Sequence, residues 1–405
     1  MGWSTPWAPT PAELNACVEC GLCLPHCPTF RLTGDETASP RGRINAMRAV
    51  ASGELPIDAA FDEVMSFCLQ CRACEAACPS LVPFGRAMEG ARAELSAARP
   101  RGRRLRQRVL GRWLGRRRAV GVATFGAAIA QRLGARRWAP RRFRRGIAGT
   151  RRLGFRRRSI VGETFEPRSE TTGTVGLLAG CVMDPWFPDV HRATIRLLTA
   201  AGYRVVVPRD QTCCGALAAH DGAADEAARM AKVNAAAFAG VDLVVSNAAG
   251  CSAHLAAYGD WGAESVEQRA VDAVALVAKA IGEGRLPVLA PGRGSVAIQD
   301  PCHHRHALRM TEEPRVVLRA AGYEVREVDP AGMCCGAAGI YSILRPETAD
   351  QLGARKAAEV MATGAPVVAS ANPGCEIQLR AHLDGTVRVA HPLELYAEAV
   401  ESAGE

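Results

Sequence analysis

Two short cysteine runs with the same spacing constrain the fold of this chain more than any other feature. Each run reads C-x2-C-x2-C-x3-C-P. The runs comprise Cys17, Cys20, Cys23, Cys27 and Pro28, and then Cys68, Cys71, Cys74, Cys78 and Pro79. In this spacing the first three thiolates of a run bind one [4Fe–4S] cube, and the fourth binds the neighbouring cube. The runs therefore predict two adjacent [4Fe–4S] clusters and a protein that moves electrons.

The predicted ligand sets are crossed between the two runs. Cluster 1 is assigned to Cys17, Cys20, Cys23 and Cys78, and cluster 2 to Cys68, Cys71, Cys74 and Cys27. Structural zinc is a poorer match, since zinc sites often use two separated C-x-x-C pairs. Helical patterns at 41–50 and 58–67 occupy the spacer between the runs. We therefore predict a mainly helical two-cluster ferredoxin domain over residues 1–98.

The other eight cysteines belong to an internal repeat. Cys181, Cys213, Cys214 and Cys251 recur as Cys302, Cys334, Cys335 and Cys375, at offsets of 121, 121, 121 and 124 residues. Each copy alternates short β-branched runs with helical stretches such as 191–201 and 314–321, which is typical of a parallel α/β sheet. The predicted fold class is thus α+β multidomain, with two duplicated small parallel α/β cysteine-rich domains at 171–285 and 292–405.

The repeat cysteines follow strands, so they are expected at the carboxyl ends of the sheets, where functional residues gather. A further iron–sulfur cluster, a zinc ion or bare thiols all remain compatible with four cysteines per copy. Gly215 and Gly336 follow the adjacent cysteine pairs and would let the backbone approach a cofactor closely. His303, His304 and His306 lie beside Cys302, and we expect them to be hydrogen-bonded structural groups more than ligands. The Asp300-Pro301 pair is expected to shape the turn that carries Cys302.

The net charge of +9 is concentrated in a connector at 99–170. Between Arg99 and Arg158 the sequence has 22 Arg and no Asp, Glu or Lys. One basic amphipathic helix is predicted there. Its apolar side is formed by Leu105, Val109, Leu110, Trp113 and Leu114, and its basic side by Arg104, Arg108 and Arg112. Such a helix suits an anionic membrane surface. Docking on an acidic partner subunit and a solvated linker remain alternatives, whereas nucleic-acid binding lacks any supporting fold motif.

Several classes of protein are disfavoured. No run of 18 or more apolar residues predicts a membrane span, and the stretch at 119–130 is too short for one. The N-terminus lacks a basic region followed by an apolar stretch, so reduced thiols in the cytoplasm are expected. The sequence has no Gly-rich dinucleotide fingerprint, so we expect that neither flavin nor NAD binds to this chain. No acid–base pair stands out, and we predict no catalytic residue.

The motifs together resemble a known family. The segments CVECGLCLPHCPTF at 17–30, GDETASPRGRI at 34–44 and LQCRACEAACPS at 69–80, with the two Cys-Cys-Gly repeats, resemble the iron–sulfur subunit of glycolate oxidase. Related subunits serve lactate utilisation, anaerobic glycerol-3-phosphate dehydrogenase and heterodisulfide reductase. Many proteins with this repeat end each copy in C-x-x-C, but here each copy keeps only the last cysteine.

The resemblance implies a division of labour. A separate FAD-containing dehydrogenase subunit would oxidise a 2-hydroxy acid, and electrons would leave through this chain toward a membrane acceptor such as a quinone. The chain would then be peripheral on the inner face of the cytoplasmic membrane. Subunits of lactate or glycerol-3-phosphate dehydrogenases are alternatives within the same class. A thiol or disulfide reductase resembling heterodisulfide reductase and a zinc or cluster-based sensor are alternatives from other classes.

Overall fold

A computed structural model describes residues 2–100, 117–134, 140–155, 159–168 and 170–404, together with positions 102, 109 and 138. The predicted basic amphipathic helix around 104–114 lies outside these residues, apart from Val109, which is exposed. None of the described helices is both long and apolar enough to cross a membrane.

The N-terminal region is helical, as predicted. Its helices are Pro11–Asn15 (α1), Pro28–Thr33 (α2), Pro40–Ser52 (α3), Ala59–Ser66 (α4), Ala73–Ala76 (α5) and Phe84–Ala98 (α6). Side-chain caps begin the two helices of the spacer: Ser39 accepts a hydrogen bond from the Gly42 amide, and Asp58 accepts one from the Phe61 amide. Such caps satisfy amides that have no partner within the helix. The helices predicted at 41–50 and 58–67 are confirmed.

One apolar cluster holds this helical region together. Ile44, Met47 and Val50 recur on one face of α3 and are almost fully buried against Met88 and neighbouring residues of α6. The i, i+3, i+6 spacing places these side chains on a single helical stripe. Cysteines of both runs pack around the edge of the same cluster. The core of the region therefore also supports the two cysteine runs.

The first repeat folds around a five-stranded sheet. Its strands are Thr164–Phe165 (β1), Gly173–Leu177 (β2), Tyr203–Val206 (β3), Leu243–Ser246 (β4) and Ala270–Asp272 (β5). They lie in the order β1-β3-β2-β4-β5, and all pairs are parallel except β1 with β3. Strand β1 comes from the stretch predicted to be a connector, and its two-residue length gave no strand pattern in the sequence.

The second repeat has the same strand order. Its strands are Ser295–Ile298 (β6), Glu324–Glu327 (β7), Val367–Ala369 (β8) and Arg388–Ala390 (β9). The order β7-β6-β8-β9 is parallel throughout and matches β3-β2-β4-β5 of the first repeat. Val175 lies opposite Val205 and Leu243, and Val296 occupies the corresponding place opposite Val325 and Val367. The predicted pair of small parallel α/β units is confirmed.

Helices cover both sheets, and two further helices lie in the described part of the connector. The connector contains Arg117–Arg132 (α7) and Arg141–Gly149 (α8). The first repeat contains Met183–Trp186 (α9), Pro188–Ala200 (α10), Ala216–His220 (α11), Ala224–Ala237 (α12), Ala249–Leu255 (α13), Glu264–Glu267 (α14) and Ala273–Gly282 (α15). The second contains Glu312–Ala320 (α16), Tyr341–Leu344 (α17), Pro346–Ala362 (α18), Pro373–Leu383 (α19) and Pro392–Gly404 (α20).

The two repeats share one hydrophobic core. Helix α15 of the first repeat packs against α16 of the second, and α10 packs against α20. Leu198 and Val277 from the first repeat lie in the same buried cluster as Val317 and Tyr396 from the second. The Tyr396 hydroxyl also donates a 2.6 Å hydrogen bond to the carbonyl of Pro287. Burial of this shared surface holds the carboxyl ends of the two sheets in a defined arrangement.

The described connector is fastened to the second repeat. Helix α8 packs on α19 so closely that a Cβ at Gly149 would clash with the carbonyl of Ile377. Arg145 forms a 2.7 Å ion pair with Asp350. Just beyond α8, the Arg151 guanidinium lies between the carboxylates of Glu376 and Glu394, at 2.5 and 2.7 Å. These contacts make residues 141–151 part of the folded body.

Candidate functional site

Both N-terminal cysteine runs follow the same unusual backbone path. The second residue after the first cysteine is left-handed in each run, with φ of 59° at Glu19 and 52° at Gln70. The fourth is left-handed too, with φ of 80° at Gly21 and 61° at Arg72. Left-handed backbone at non-glycine residues is uncommon, and it clusters where a site requires it. The repeated path shows that the two runs are built alike.

The second run is deeply buried, while the first reaches the surface. Cys27, Cys68, Cys71 and Cys74 are buried, whereas Cys20 is exposed. Burial raises the pKa of the Cys71 and Cys74 thiols well above their ordinary value, and the charge of Cys27 adds to the shift at both. Cys27 therefore lies beside the second run, and the crossed ligand assignment stays a prediction.

Two arginines lie beside predicted ligands of cluster 2: Arg43 is buried and Arg92 is half-buried. The Arg43 guanidinium donates to the Val64 carbonyl at 3.0 Å and to Thr29 Oγ1 at 3.1 Å, and its Nη1 lies 3.9 Å from the sulfur of Cys27. Arg92 donates to the Cys68 carbonyl at 2.6 Å. Positive charge at this depth favours an anionic thiolate site. Sequence reasoning missed both residues, because neither lies inside a cysteine motif.

The four cysteines of the first repeat come together as predicted from their positions after strands. The sulfurs of Cys181 and Cys213 are 3.3 Å apart, and those of Cys214 and Cys251 are 3.2 Å apart. Hydrogen bonds with Cys181 and then Cys214 hold the pKa of Cys213 well below its usual range. All four thiols thus form one contiguous group, the first quartet.

The second repeat builds a matching group, the second quartet. The sulfurs of Cys335 and Cys375 are 3.2 Å apart, and Cys334 is hydrogen-bonded to both Cys302 and Cys335. The hydrogen bonds with Cys334 and then Cys375 hold the pKa of Cys335 well below its usual range. The two quartets are therefore built alike at the carboxyl ends of the two sheets.

The second quartet adjoins the second N-terminal run. Cys71 packs in one buried cluster with Cys334, with Cys302 against its edge, and the charge of Cys302 raises the pKa of Cys71. The interface is tied by a 3.3 Å hydrogen bond from the Tyr341 hydroxyl to the Phe67 carbonyl. Thiols of the second run and of the second quartet therefore lie close together in a buried environment.

These donor sets fit clusters better than single ions. Within the described ranges, no group of three or more His, Cys, Asp and Glu side chains is arranged to hold one metal ion. In a cube each thiolate binds its own iron, so the ligands surround the cofactor and do not converge on a point. Buried thiols with raised pKa values must lose their protons when metal binds, which couples binding to proton release.

The three histidines singled out in the sequence have different partners. His304 Nε2 lies 2.9 Å from a carboxylate oxygen of Asp272, and His306 Nε2 lies 3.0 Å from the Gly332 carbonyl oxygen. Both are structural contacts of buried rings. His303 is the one of the three beside a thiol, with Nδ1 at 3.5 Å from the sulfur of Cys302.

Other ionisable residues near the quartets were missed by sequence reasoning. A cavity of about 230 Å³ between the helical region and the repeats is lined by Glu89, His220, His254 and His303 among others. His220 pairs with Glu89 at 3.3 Å and stacks on His303 with ring centres 5.8 Å apart. Burial lowers the pKa of His254 to about 4. These residues come from three separate regions, so no local motif could have identified them.

The glycines after the cysteine pairs have a more specific role than the sequence suggested. Gly215 and Gly336 are left-handed, with φ of 97° and 86°. A Cβ at Gly215 would lie 3.2 Å from His254 Nε2, and one at Gly336 would lie 2.7 Å from the Ala349 carbonyl. Glycine is therefore required by backbone conformation and by the helix packed behind each cysteine pair.

Two family models match the chain in the same order as these sites. Residues 13–82 match a 4Fe-4S dicluster domain, and residues 175–256 and 296–380 match a cysteine-rich domain twice. A dicluster domain joined to paired cysteine-rich domains defines the protein as an iron–sulfur redox protein.

Individual relatives show to which family of iron–sulfur redox proteins the chain belongs. The chain is 34% identical to the probable glycolate oxidase iron-sulfur subunit of Bacillus subtilis, covering 96% of this chain and 94% of that relative. It is 30% identical to the glycolate oxidase iron-sulfur subunit of Escherichia coli, with the same coverage of both chains. Lactate utilization protein A of Shouchella clausii is 27% identical over 54% of this chain and 95% of its own length. The chain belongs to the glycolate oxidase iron–sulfur subunit family and is a component of an oxidoreductase complex.

Proposed function

We propose that this chain is the electron-transfer subunit of a flavin-dependent 2-hydroxyacid dehydrogenase complex that oxidises glycolate. Substrate oxidation would take place on a separate FAD-containing subunit, and a membrane quinone would be the acceptor. The names and nearly complete coverage of the glycolate oxidase relatives support the substrate. The observation that carries the electron-transfer role is the burial of Cys71 beside the second quartet.

The chain's own residues would hold and insulate the cofactors. Cluster 1 would be held by Cys17, Cys20, Cys23 and Cys78, and cluster 2 by Cys68, Cys71, Cys74 and Cys27. When bound, each [4Fe–4S] cluster supplies a site that accepts and releases one electron. Cys20 is exposed while Cys71 is buried, which gives the protein a surface end and an inner end. The surface end suits exchange with the flavoprotein partner.

We also infer a further iron–sulfur cluster at the thiol quartets. Each quartet offers four sulfurs in contact, two of them from adjacent residues, and the second quartet adjoins Cys71. A lactate-oxidising complex is the second candidate function, because Lactate utilization protein A is a relative over 95% of its own length. The partner subunit would decide between these substrates.

Iron content tests the cofactor proposal directly. The chain is purified anaerobically, and its content of iron, acid-labile sulfide and zinc is measured. Low-temperature EPR spectra are recorded separately on the reduced sample. We expect about twelve or more irons per chain and no zinc, because two cubes account for about eight. About eight irons would leave the quartets as thiol sites and contradict a further cluster. Zinc in place of iron would contradict the electron-transfer role and favour a sensor.

The buried arginine beside cluster 2 should tune its reduction potential. Replacing Arg43 by Met removes a positive charge 3.9 Å from the Cys27 sulfur. We expect the potential of cluster 2 to fall by on the order of 100 mV, because the reduced, more negative cluster loses a favourable interaction. A redox titration followed by EPR measures the shift.

Arg48→Met is the matched control. Arg48 donates to the Cys17 carbonyl at 2.6 Å, but its side chain is 27% exposed, so water screens its charge. We expect a smaller shift, confined to cluster 1. Equal shifts in the two variants, or a rise in potential with Arg43→Met, would contradict the assignment of Cys27 to the buried cluster.

A further inference from the structure

Helix α7 has an apolar outer face. Val122, Phe125 and Ile129 of α7 and Leu133 just beyond its end are 72%, 50%, 38% and 75% exposed, and their spacing of three, four and four residues aligns them in one stripe. Thr124 and Ala128, on the opposite side of the helix, are buried. A surface helix of a globular protein normally turns charged residues to solvent. This helix is apolar on both sides.

The stripe is held facing outward by contacts on the other side of α7. The Trp186 indole N–H donates to Thr124 Oγ1 at 3.1 Å. The Leu153 amide donates to Gln131 Oε1 at 3.0 Å, and the Arg132 guanidinium donates to the Leu153 carbonyl at 3.0 Å. Since these bonds fix the rotation of the helix about its axis, the stripe cannot turn inward without breaking them.

The charge pattern indicates what covers the stripe. Residues 119–131 have no charged side chain, whereas Arg116, Arg117 and Arg118 precede them and Arg132, Arg136 and Arg137 follow. No Asp, Glu or Lys occurs between Arg99 and Arg158. Arginines at both ends match anionic lipid headgroups, and the uncharged middle matches the acyl boundary. An acidic protein partner would instead place charges against this uncharged middle.

We propose that α7 is an interfacial helix that lays Val122, Phe125, Ile129 and Leu133 into the surface of an anionic bilayer. Its 16 residues span about 24 Å, which suits a helix that lies along the surface. Trp138, which is 86% exposed beyond the end of α7, is placed to anchor at the headgroups. The proposal rests on the proposed function in one respect, namely that the electron acceptor is a membrane quinone.

Vesicle flotation of the full, cluster-loaded chain tests the proposal. The vesicles contain phosphatidylcholine alone or phosphatidylcholine with phosphatidylglycerol, at low and high salt. The test variant carries Val122→Ser, Phe125→Ser and Ile129→Ser. The matched control carries Leu55→Ser, Val288→Ser and Met361→Ser, which replace residues 50%, 70% and 52% exposed on other parts of the surface. A third variant carries Arg104→Gln, Arg108→Gln and Arg112→Gln.

We expect the stripe variant to partition onto anionic vesicles on the order of 100-fold more weakly than the wild type, with the control unchanged. The arginine variant should lose binding mainly at low salt, because salt screens its contribution. Equal binding of the wild type and the stripe variant would overturn the proposal, and so would an equal loss in the control. Absence of wild-type binding would overturn it as well. Dithionite-reduced clusters of the same samples are also reoxidised by a soluble dye, which reports electron transfer independently, so failure of the membrane proposal is separable from failure of the proposed function.

Discussion

Cys71→Ser should stop electron transfer through the chain while leaving reduction of the partner's flavin by substrate unchanged. Cys71 is a predicted ligand of the buried cluster and lies beside the second quartet. A serine oxygen is a harder ligand than a thiolate and suits iron–sulfur clusters poorly. We expect electron transfer to fall at least about 100-fold, since substitutions outside the ligand shell already cost 10–100-fold in metal sites. Stopped-flow absorbance of the flavin and the clusters separates the two half-reactions.

Cys20→Ser should block transfer to a similar degree at the surface end. Ala76→Ser is the matched control, because Ala76 is exposed within the second run and is not a predicted ligand. Cys71→Ser should also alter the EPR signal of any cluster at the second quartet, whereas Cys20→Ser should not. Normal transfer in either cysteine variant, or the same defect in Ala76→Ser, would contradict the ligand assignment.

Local patterns were sufficient to predict the helical region, the repeat and the general fold class. Three identical offsets of 121 residues required that the two repeats share one topology, and the strand orders agree. Cysteines that follow strands had to meet at the carboxyl ends of parallel sheets. The helices of the spacer carry their own caps at Ser39 and Asp58. Each of these signals can be recognised in the sequence without knowing which distant residues come into contact.

Features that depend on distant contacts could not be predicted in this way. The two repeats share a core because α15 meets α16 and α10 meets α20, which no periodicity within one repeat indicates. The cavity that joins Glu89, His220 and His303 combines residues from three regions. The Arg-rich stretch was interpreted by its charge and its amphipathic pattern, although Arg151 binds carboxylates 225 and 243 residues away. Long-range packing, and not local propensity, decides all three.

Arg151→Met should be among the most destabilising single substitutions in the connector. The guanidinium forms paired hydrogen bonds to both Glu376 and Glu394, and all three side chains are largely buried. Burial by itself would lower the pKa of Arg151, but the two carboxylates outweigh burial and raise this pKa. Removing the cation would leave two buried carboxylates without their partner, which typically costs about 3–5 kcal/mol. Thermal and urea unfolding of the cluster-loaded protein measure the loss.

Arg196→Met is the control, since its ion pair with Glu401 is 44% and 52% exposed and such pairs contribute about 0–1 kcal/mol. The triple change Arg151→Met, Glu376→Gln and Glu394→Gln should recover much of the lost stability, because it removes the stranded charges together with the cation. A loss in Arg151→Met no larger than in Arg196→Met would contradict the view that the connector is fastened here. If the loss is large, residues 141–151 and the second repeat unfold together, and the outer face of α7 is then presented by a rigid support.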